Sequence, residues 1–379
     1  MITNRDQLAG RRRWVVKIGS ALLTADGRGL DPERLQNWAA QIAALHAHGC
    51  QVVLVSSGAV AEGLARLGWP KRPASLSEVQ AAASVGQAGL VEAYSRCFER
   101  HGIRTAQVLL THEDVAHRGR YLNARSTLLR LLELKVIPIV NENDAIATDE
   151  IRVGDNDTMA ALTVNLLDAD GLIILTDQAG VFDSDPRRNP QARLIDQCEA
   201  HDPALLDGAG ATGGALGRGG MRTKVLAARQ AADSGAVTLI ADGLEPDVLA
   251  RLTRGQPVGT LLLPGQRAKR AARKNWIAGQ RRVRGSVRID AGAARVLRTA
   301  GRSLLPIGIT AVEGEFRRGD LVACVDAEGD EIAQGLANYD AREARLLIGQ
   351  SSERIQGLLG YGGEAEFIHR DNLVVSREH

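Results

Sequence analysis

The chain has 379 residues, 44% hydrophobic and 24% charged, with a formal net charge of +2. That length is too great for one small domain and fits a large domain of about 250 residues plus a module of about 100. No apolar run is long enough to span a bilayer, and Met1-Ile2-Thr3-Asn4-Arg5-Asp6 is not followed by the apolar core of a signal peptide. Cys50, Cys97, Cys198 and Cys324 lie far apart, without the paired spacing of a zinc or dithiol site, so reduced thiols in a cytoplasmic protein are expected.

Trp14 to Ile18 reads as a first strand. A helix follows with Asp31 as cap, Pro32 at its first position and Gly49 as terminator. Then come a strand at Val52 to Val55, a helix, and a longer helix opened by a Ser75 to Glu78 capping box. Further along, strands are predicted at Ala106 to Leu110, Val136 to Val140, Leu172 to Leu175 and Val237 to Ile240. Helices separate them: one through Leu128 to Leu134, one from Thr158 and one from about Thr223. Strands that are apolar throughout, alternating with helices, indicate a mainly parallel sheet covered on both faces, a three-layer αβα sandwich.

The texture changes near Leu263-Pro264-Gly265. A basic stretch leads into a short-stranded tail with turns at Glu313-Gly314, Arg318-Gly319-Asp320, Glu328-Gly329-Asp330 and Gly362-Gly363, a small β-barrel-like module. The expected division is a catalytic domain over 1–265, a basic linker over 266–281, the module over 282–360 and a segment completing it over 361–379. Positions 267–302 hold twelve basic residues and one acid, Asp290, whereas 303–379 holds seven basic and fourteen acidic. A basic stripe can be a solvated linker or a phosphate-backbone footprint, and composition favours the linker.

Four strand ends carry the candidate chemistry. The first strand runs into Lys17-Ile18-Gly19-Ser20, small residues that let a phosphate approach beside a lysine. This is neither a P-loop nor a dinucleotide fingerprint. The second ends at Ser56-Ser57-Gly58-Ala59, a polar turn opening a helix. After the strand ending at Val140, acidic and amide side chains crowd together in Asn141-Glu142-Asn143-Asp144 and, around Gly154, in Asp155-Asn156-Asp157. Asp155, Asn156 or Asp157 could cap the helix from Thr158, and one cap is enough. The fourth is Thr176-Asp177, joined by the glycine-rich run from Gly217 through Arg218-Gly219-Gly220-Met221-Arg222-Thr223 to Lys224, whose free amides suit polyphosphate. Only six of the 47 basic residues are lysine, and two of those, Lys17 and Lys224, fall in such small-residue settings, where a compact ammonium suits phosphate. Two lysines, a carboxylate to organise them and a polar pocket suit phosphoryl transfer, which needs positioning and charge neutralisation rather than a covalent nucleophile. The histidines, including His112 and His117, form no catalytic motif.

These residues resemble those of the glutamate 5-kinases, a family of the amino acid kinase superfamily with a C-terminal PUA domain. The resemblance covers nearly the whole chain. It rests on Val16 to Ser20, Ser56 to Val60, Asn141 to Asp144, Gly154 to Asp157, Leu175 to Asp177, Gly219-Gly220-Met221 with Lys224, Ser303 to Gly308 and His369 to Asn372. It implies that ATP, with Mg2+, phosphorylates the side-chain carboxylate of L-glutamate in the first step of proline synthesis, under feedback inhibition by proline. It further implies that Lys17 and Lys224 neutralise the phosphoryl group in flight and that Asp157 holds them. Ser57, Asp144 and Asn156 would bind glutamate, Asp144 suiting its ammonium and Asn156 its carboxylate. Lys17, Thr176, Asp177 and the run Arg218, Gly219, Gly220, Met221, Arg222, Thr223 and Lys224 would hold ATP. No protein side chain is expected to bind the metal. The sequence departs from the family at Arg218, where threonine is usual, and at Val181 to Pro186, where a tyrosine-bearing loop is usual. A homo-oligomer and hand-off of the labile product to glutamyl phosphate reductase are also expected. The alternatives are another phosphotransferase of the superfamily and RNA binding by the tail. RNA ranks below a structural role because the tail lacks an aromatic cluster for stacking.

Overall fold

The computed structural model describes residues 2–24, 29–147, 156–208, 220–265 and 283–376. They form two compact units, one of 1–115 with 124–269 and one of 116–123 with 270–379.

The first unit is built on eight strands: β1 Arg13–Ile18, β2 Gln51–Ser56, β3 Thr105–Leu110, β4 Ile137–Glu142, β5 Gly171–Thr176, β6 Gln197–Glu199, β7 Val237–Asp242 and β8 Thr260–Leu263. Their order in the sheet is β3-β4-β2-β1-β5-β7-β8-β6. Neighbours run parallel except β7 and β8, which are antiparallel. The helices between these strands are α1 Ser20–Leu23, α2 Pro32–Ala47, α3 Ala59–Leu67, α4 Leu76–Glu99, α5 His112–Ala116, α6 Arg118–Glu133 (of which 118–123 is assigned to the second unit), α7 Asn156–Leu167, α8 Ala204–Gly208, α9 Met221–Asp233 and α10 Val248–Thr253. This is the expected three-layer sandwich on a mainly parallel sheet. None of the described helices is long and apolar enough to cross a membrane.

Strand alternation decides what each face carries. Trp14, Val16 and Ile18 of β1 join Val52, Leu54, Ile137, Ile139, Ile173 and Leu175 in one core with Trp38 of α2 and Tyr94 and Phe98 of α4. The intervening residues Val15 and Lys17 therefore turn to the opposite face, where α7 packs against β1 and against α9. The chain leaves β1 toward β2 on one side, whereas from the adjacent β5 it continues to β6 and β7 on the other, and that divergence places a crevice at the C-terminal ends of β1 and β5.

Several local expectations change. The Ser75 side chain makes no cap bond to α4; its Oγ pairs with Ser77 Oγ at 2.8 Å, so the capping box is not formed. The described part of helix α7 spans Asn156–Leu167, so Asn156 and Asp157 lie within the helix and are not its caps; Asp155, the third candidate, lies outside the described residues. Lys17 lies within β1 and Lys224 within the first turn of α9, rather than in turns. By contrast, Asp31 caps α2 as predicted, accepting from the amides of Glu33 and Arg34.

The second unit holds a five-stranded sheet in the order β10-β9-β11-β12-β13, with β9 Gly285–Ile289, β10 Ile309–Gly314, β11 Leu321–Val325, β12 Glu331–Leu336 and β13 Leu373–Val375. Gly314, Gly319 and Gly329 have positive φ at the turns read from the sequence. Asp340 and Glu343 form a complete capping box on the helix Ala341–Leu347. Phe316, Tyr339 and Phe367 are buried in this unit's core. The linker predicted over 266–281 lies outside the described residues.

Helices α3 and α4 meet through glycine. A Cβ on Gly86 would stand 1.8 Å from the carbonyl oxygen of Ala59, and one on Gly63 would stand 1.7 Å from that of Ala82. Gly86→Ala should therefore destabilise the fold by about 1–3 kcal/mol through forced separation of the helices. Gly357→Ala, in the helix Ile355–Leu359 with nothing within 4 Å of its Cβ, should be neutral or stabilising by up to about 1 kcal/mol. Thermal unfolding of the two variants checks the contrast.

Candidate active site

Three elements bring three charges together. Lys17, at 4% exposure, points from β1 toward α7, where Asp157 is 1% exposed; Lys224, at 5%, comes from the first turn of α9. Lys17 Nζ lies 2.6 Å from Asp157 Oδ1, and Lys224 Nζ lies 3.3 Å from Oδ2. Thr223 adds a third tie, its hydroxyl 2.7 Å from Asp157 Oδ2. Burial alone would raise the Asp157 pKa, but the two ammonium groups outweigh it. With hydrogen bonds from Lys17 and Thr223, they hold the carboxyl well below the usual carboxylate range. The triad sums to +1, and a buried cationic excess of this kind favours an anionic ligand.

The turn after β1 leaves room for one. Gly19 N donates to Leu175 O at 3.2 Å and Ser57 N to Ile18 O at 3.3 Å, so this turn is tied to both neighbouring strand ends. A Cβ on Gly19 would stand 3.9 Å from Lys17 Nζ. That is ordinary van der Waals contact, so a Cβ would fit, and glycine leaves the space beside the ammonium to a ligand.

On one side of β1 lies a polar network. Asn156 Nδ2 donates to Asn141 Oδ1 at 3.0 Å, Ser57 Oγ at 3.1 Å and Ser56 O at 3.3 Å. Asn141 Nδ2 donates to Gln87 Oε1 of α4 at 2.8 Å. Asp144 lies just past β4 and is buried; burial first, then the charge of Glu142, push its pKa up to about 7, against a lowering pull from Arg72. Gln80 of α4 holds this loop by donating to Ala147 O at 2.9 Å. Sequence reasoning missed Gln87 and Gln80, since a glutamine within a helix carries no signal of its own.

On the other side of β1 stand Thr176 and Asp177 at the end of β5, Thr176 Oγ1 donating to Asp177 Oδ1 at 3.1 Å. The following loop is pinned by Thr260 of β8, a residue also missed. Its Oγ1 accepts from Val181 N at 2.8 Å and donates to Ile195 O at 2.6 Å. Gly220, Met221, Arg222 and Thr223 open α9. Arg218, Gly219, Gly154 and Asp155, singled out in the sequence, lie outside the described residues. Among the described residues no group of histidine, cysteine, aspartate and glutamate could hold a metal ion.

Removing the central charge should cost more than removing a surface one. Asp157→Ala is expected to lower stability at pH 7 by about 3–5 kcal/mol, because two buried cations lose their counter-charge. A carboxyl with a depressed folded pKa stabilises above its unfolded value, near 3.9, and loses that contribution as pH falls toward the folded value. The gap between variant and wild type should therefore narrow in acid, which urea unfolding at neutral and acid pH measures.

The arrangement has known counterparts. Residues 12–242 match the model of the amino acid kinase family, and residues 285–359 match that of the PUA domain. A glutamate 5-kinase from Chromohalobacter salexigens is 61% identical over 98% of this chain and 98% of its own. Those of Thioalkalivibrio sulfidiphilus and Methylococcus capsulatus are 60% and 59% identical, over 99% and 98% of this chain and 100% of theirs. A solved UMP kinase from Bacillus anthracis superposes with a TM-score of 0.49 at 19% identity over 67% of this chain and 97% of its own, too loose a likeness to add to the argument. With its triad at the centre of the matched sheet and near-complete coverage of relatives this similar, the chain belongs to the amino acid kinase family and, within it, to the glutamate 5-kinases.

Proposed function

We propose that the protein transfers the γ-phosphoryl group of ATP to the side-chain carboxylate of L-glutamate, giving L-glutamyl 5-phosphate and ADP in the first step of proline biosynthesis. The observation that carries this is the buried Lys17–Asp157–Lys224 triad with its excess of one positive charge, in a chain 61% identical to a glutamate 5-kinase. A carboxylate is already ionised at neutral pH, so no general base is needed. One of its oxygens attacks the γ-phosphorus as the bond to the β,γ-bridging oxygen breaks, and the released electron pair stays on ADP. The protein's task is to align the two oxygens and to offset charge on the transferring group.

Lys17 and Lys224 take that role in our reading, and Asp157 holds both ammonium groups on target. The polar side of β1, with Ser57, Asp144 and Asn156, receives glutamate. The other side, with Thr176, Asp177 and the segment Arg218 to Lys224, receives ATP. Both oxygens of Asp157 face cations, so this carboxylate is committed to the lysines. Mg2+ would be carried in on the nucleotide's own phosphates, where it would offset their charge. The product is an acyl phosphate that hydrolyses readily, which supports hand-off to a reductase. We further infer a cytoplasmic site of action, feedback inhibition by proline, a homo-oligomeric state, and domain limits at 265 and 282 with a structural or regulatory tail.

The direct test is ATP consumption with magnesium and L-glutamate in hydroxylamine, which traps an acyl phosphate as a hydroxamate. A hydroxamate formed with glutamate and not with L-aspartate or N-acetylglutamate is expected; no turnover with any of them would refute the reading. Lys17→Ala and Lys224→Ala should each lower kcat by at least about a hundredfold, with a much smaller change in glutamate affinity. Asp144 must be ionised to meet the substrate ammonium and its pKa is raised to about 7. The kcat/KM for glutamate should thus fall as pH drops through that value, by up to about tenfold per unit. Asp144→Ala should raise KM for glutamate and abolish that limb of the profile.

A further inference from the structure

The polar network on the substrate side has a fixed direction of donors and acceptors, and a backbone amide sets it. Asn141 Oδ1 accepts from its neighbour's backbone, Glu142 N, at 2.9 Å. A backbone amide can only donate, so the Asn141 side-chain oxygen is identified and its Nδ2 must point the other way. There it donates to Gln87 Oε1 at 2.8 Å. Asn141 Oδ1 also accepts from Asn156 Nδ2 at 3.0 Å, which fixes the second amide in turn. The Nδ2 group of Asn156 is then fully committed, with Ser57 Oγ and Ser56 O sharing its protons.

What remains is Asn156 Oδ1, a buried acceptor with no hydrogen-bond partner among the described residues, on a side chain 6% exposed. An unmet buried acceptor costs on the order of 1–3 kcal/mol until a donor arrives. Glutamate at neutral pH has one donor group, its ammonium, and two carboxylates that only accept. Asn156 Oδ1 therefore suits the substrate ammonium, where the sequence reading gave Asn156 the carboxylate.

We propose that Gln87 is a positioning residue for glutamate recognition: the Glu142 amide sets which way the Asn141 side chain faces, and Gln87, by accepting from Asn141 Nδ2, anchors its other end, so that Asn141 holds Asn156 with its carbonyl oxygen toward the substrate ammonium. This rests on the glutamate kinase reading and deepens it. Gln87 is 8% exposed, on the stretch of α4 that Gly86 lets approach α3 closely. Its Nε2 is buried with no partner among the described residues, so only the acceptor half of the side chain works in the network. Without that acceptor, Asn141 Nδ2 loses its partner and the side chain keeps only its Glu142 anchor, so Asn141 no longer holds Asn156 in a set position and the carbonyl oxygen aimed at the ammonium is displaced.

Steady-state kinetics on the full-length protein separates this role from a structural one. Gln87→Met, close in shape but without an acceptor, should raise KM for glutamate at least about tenfold, as expected when a buried hydrogen bond to a charged group is lost. KM for ATP and kcat should stay within about threefold, a split that general loosening of the fold would not give. Gln87→Glu keeps an acceptor oxygen and should recover most of the glutamate affinity. Gln87→Ala replaces Gln87→Met if the latter does not fold, with the same expectation. A Gln87→Met enzyme with unchanged KM for glutamate, or with both KM values raised alike, would overturn the proposal. Wild-type protein that forms no glutamate hydroxamate would instead overturn the function on which it rests.

Discussion

A single buried carboxylate, Asp157, is the constraint on which the catalytic unit depends. Two ammonium groups cannot be buried side by side without a counter-charge, and one fully buried carboxylate supplies it at 2.6 Å and 3.3 Å. Because the three charges come from β1, α7 and α9, meeting at Asp157 fixes where both helices begin relative to the sheet. The far end of α7 is fixed as well: guanidinium groups of Arg125 and Arg13 donate to the carbonyls of Leu166 and Leu167 in its last turn. A helix held at both ends can present its first residues, Asn156 and Asp157, in a set geometry.

Those two neighbours divide the work between opposite partners. Asp157 faces cations and keeps its charge; Asn156 joins the neutral network of Ser57 and Asn141. The contrast follows from the helix, since adjacent side chains are turned about 100° from each other. Asp157 thereby meets the two ammonium groups, and Asn156 the amide and hydroxyl groups on the other side of β1. Asp144 works under a third regime, in which burial and the charge of Glu142 keep its carboxyl poised near neutrality until a cation arrives.

Much of this was legible in the sequence, for physical reasons. Apolar strands alternating with helices indicate the layered sheet, and the scarcity of lysine singles out Lys17 and Lys224. Alternation within β1 then explains why Lys17 faces α7, though its partner could be named only through the family resemblance. The capping box at Ser75 is not formed because local spacing does not determine which partner a serine hydroxyl takes, and here it takes the Ser77 hydroxyl. Gln87 and Thr260 were invisible for a different reason: each acts through tertiary contacts 54 and 79 residues away in the chain. The donor-acceptor sense of Asn156 likewise depends on a backbone amide, that of Glu142, which carries no mark in the sequence.

The central claim is that Lys17 and Lys224 act as one unit through Asp157. A double-mutant cycle on the single-turnover rate of phosphoryl transfer, with Lys17→Met, Lys224→Met and the pair, tests it most directly. The account predicts strong non-additivity, the double variant being little slower than the worse single one, because either loss disorders the other lysine's anchor. Fully additive effects would mean that the two ammonium groups act independently and would contradict it.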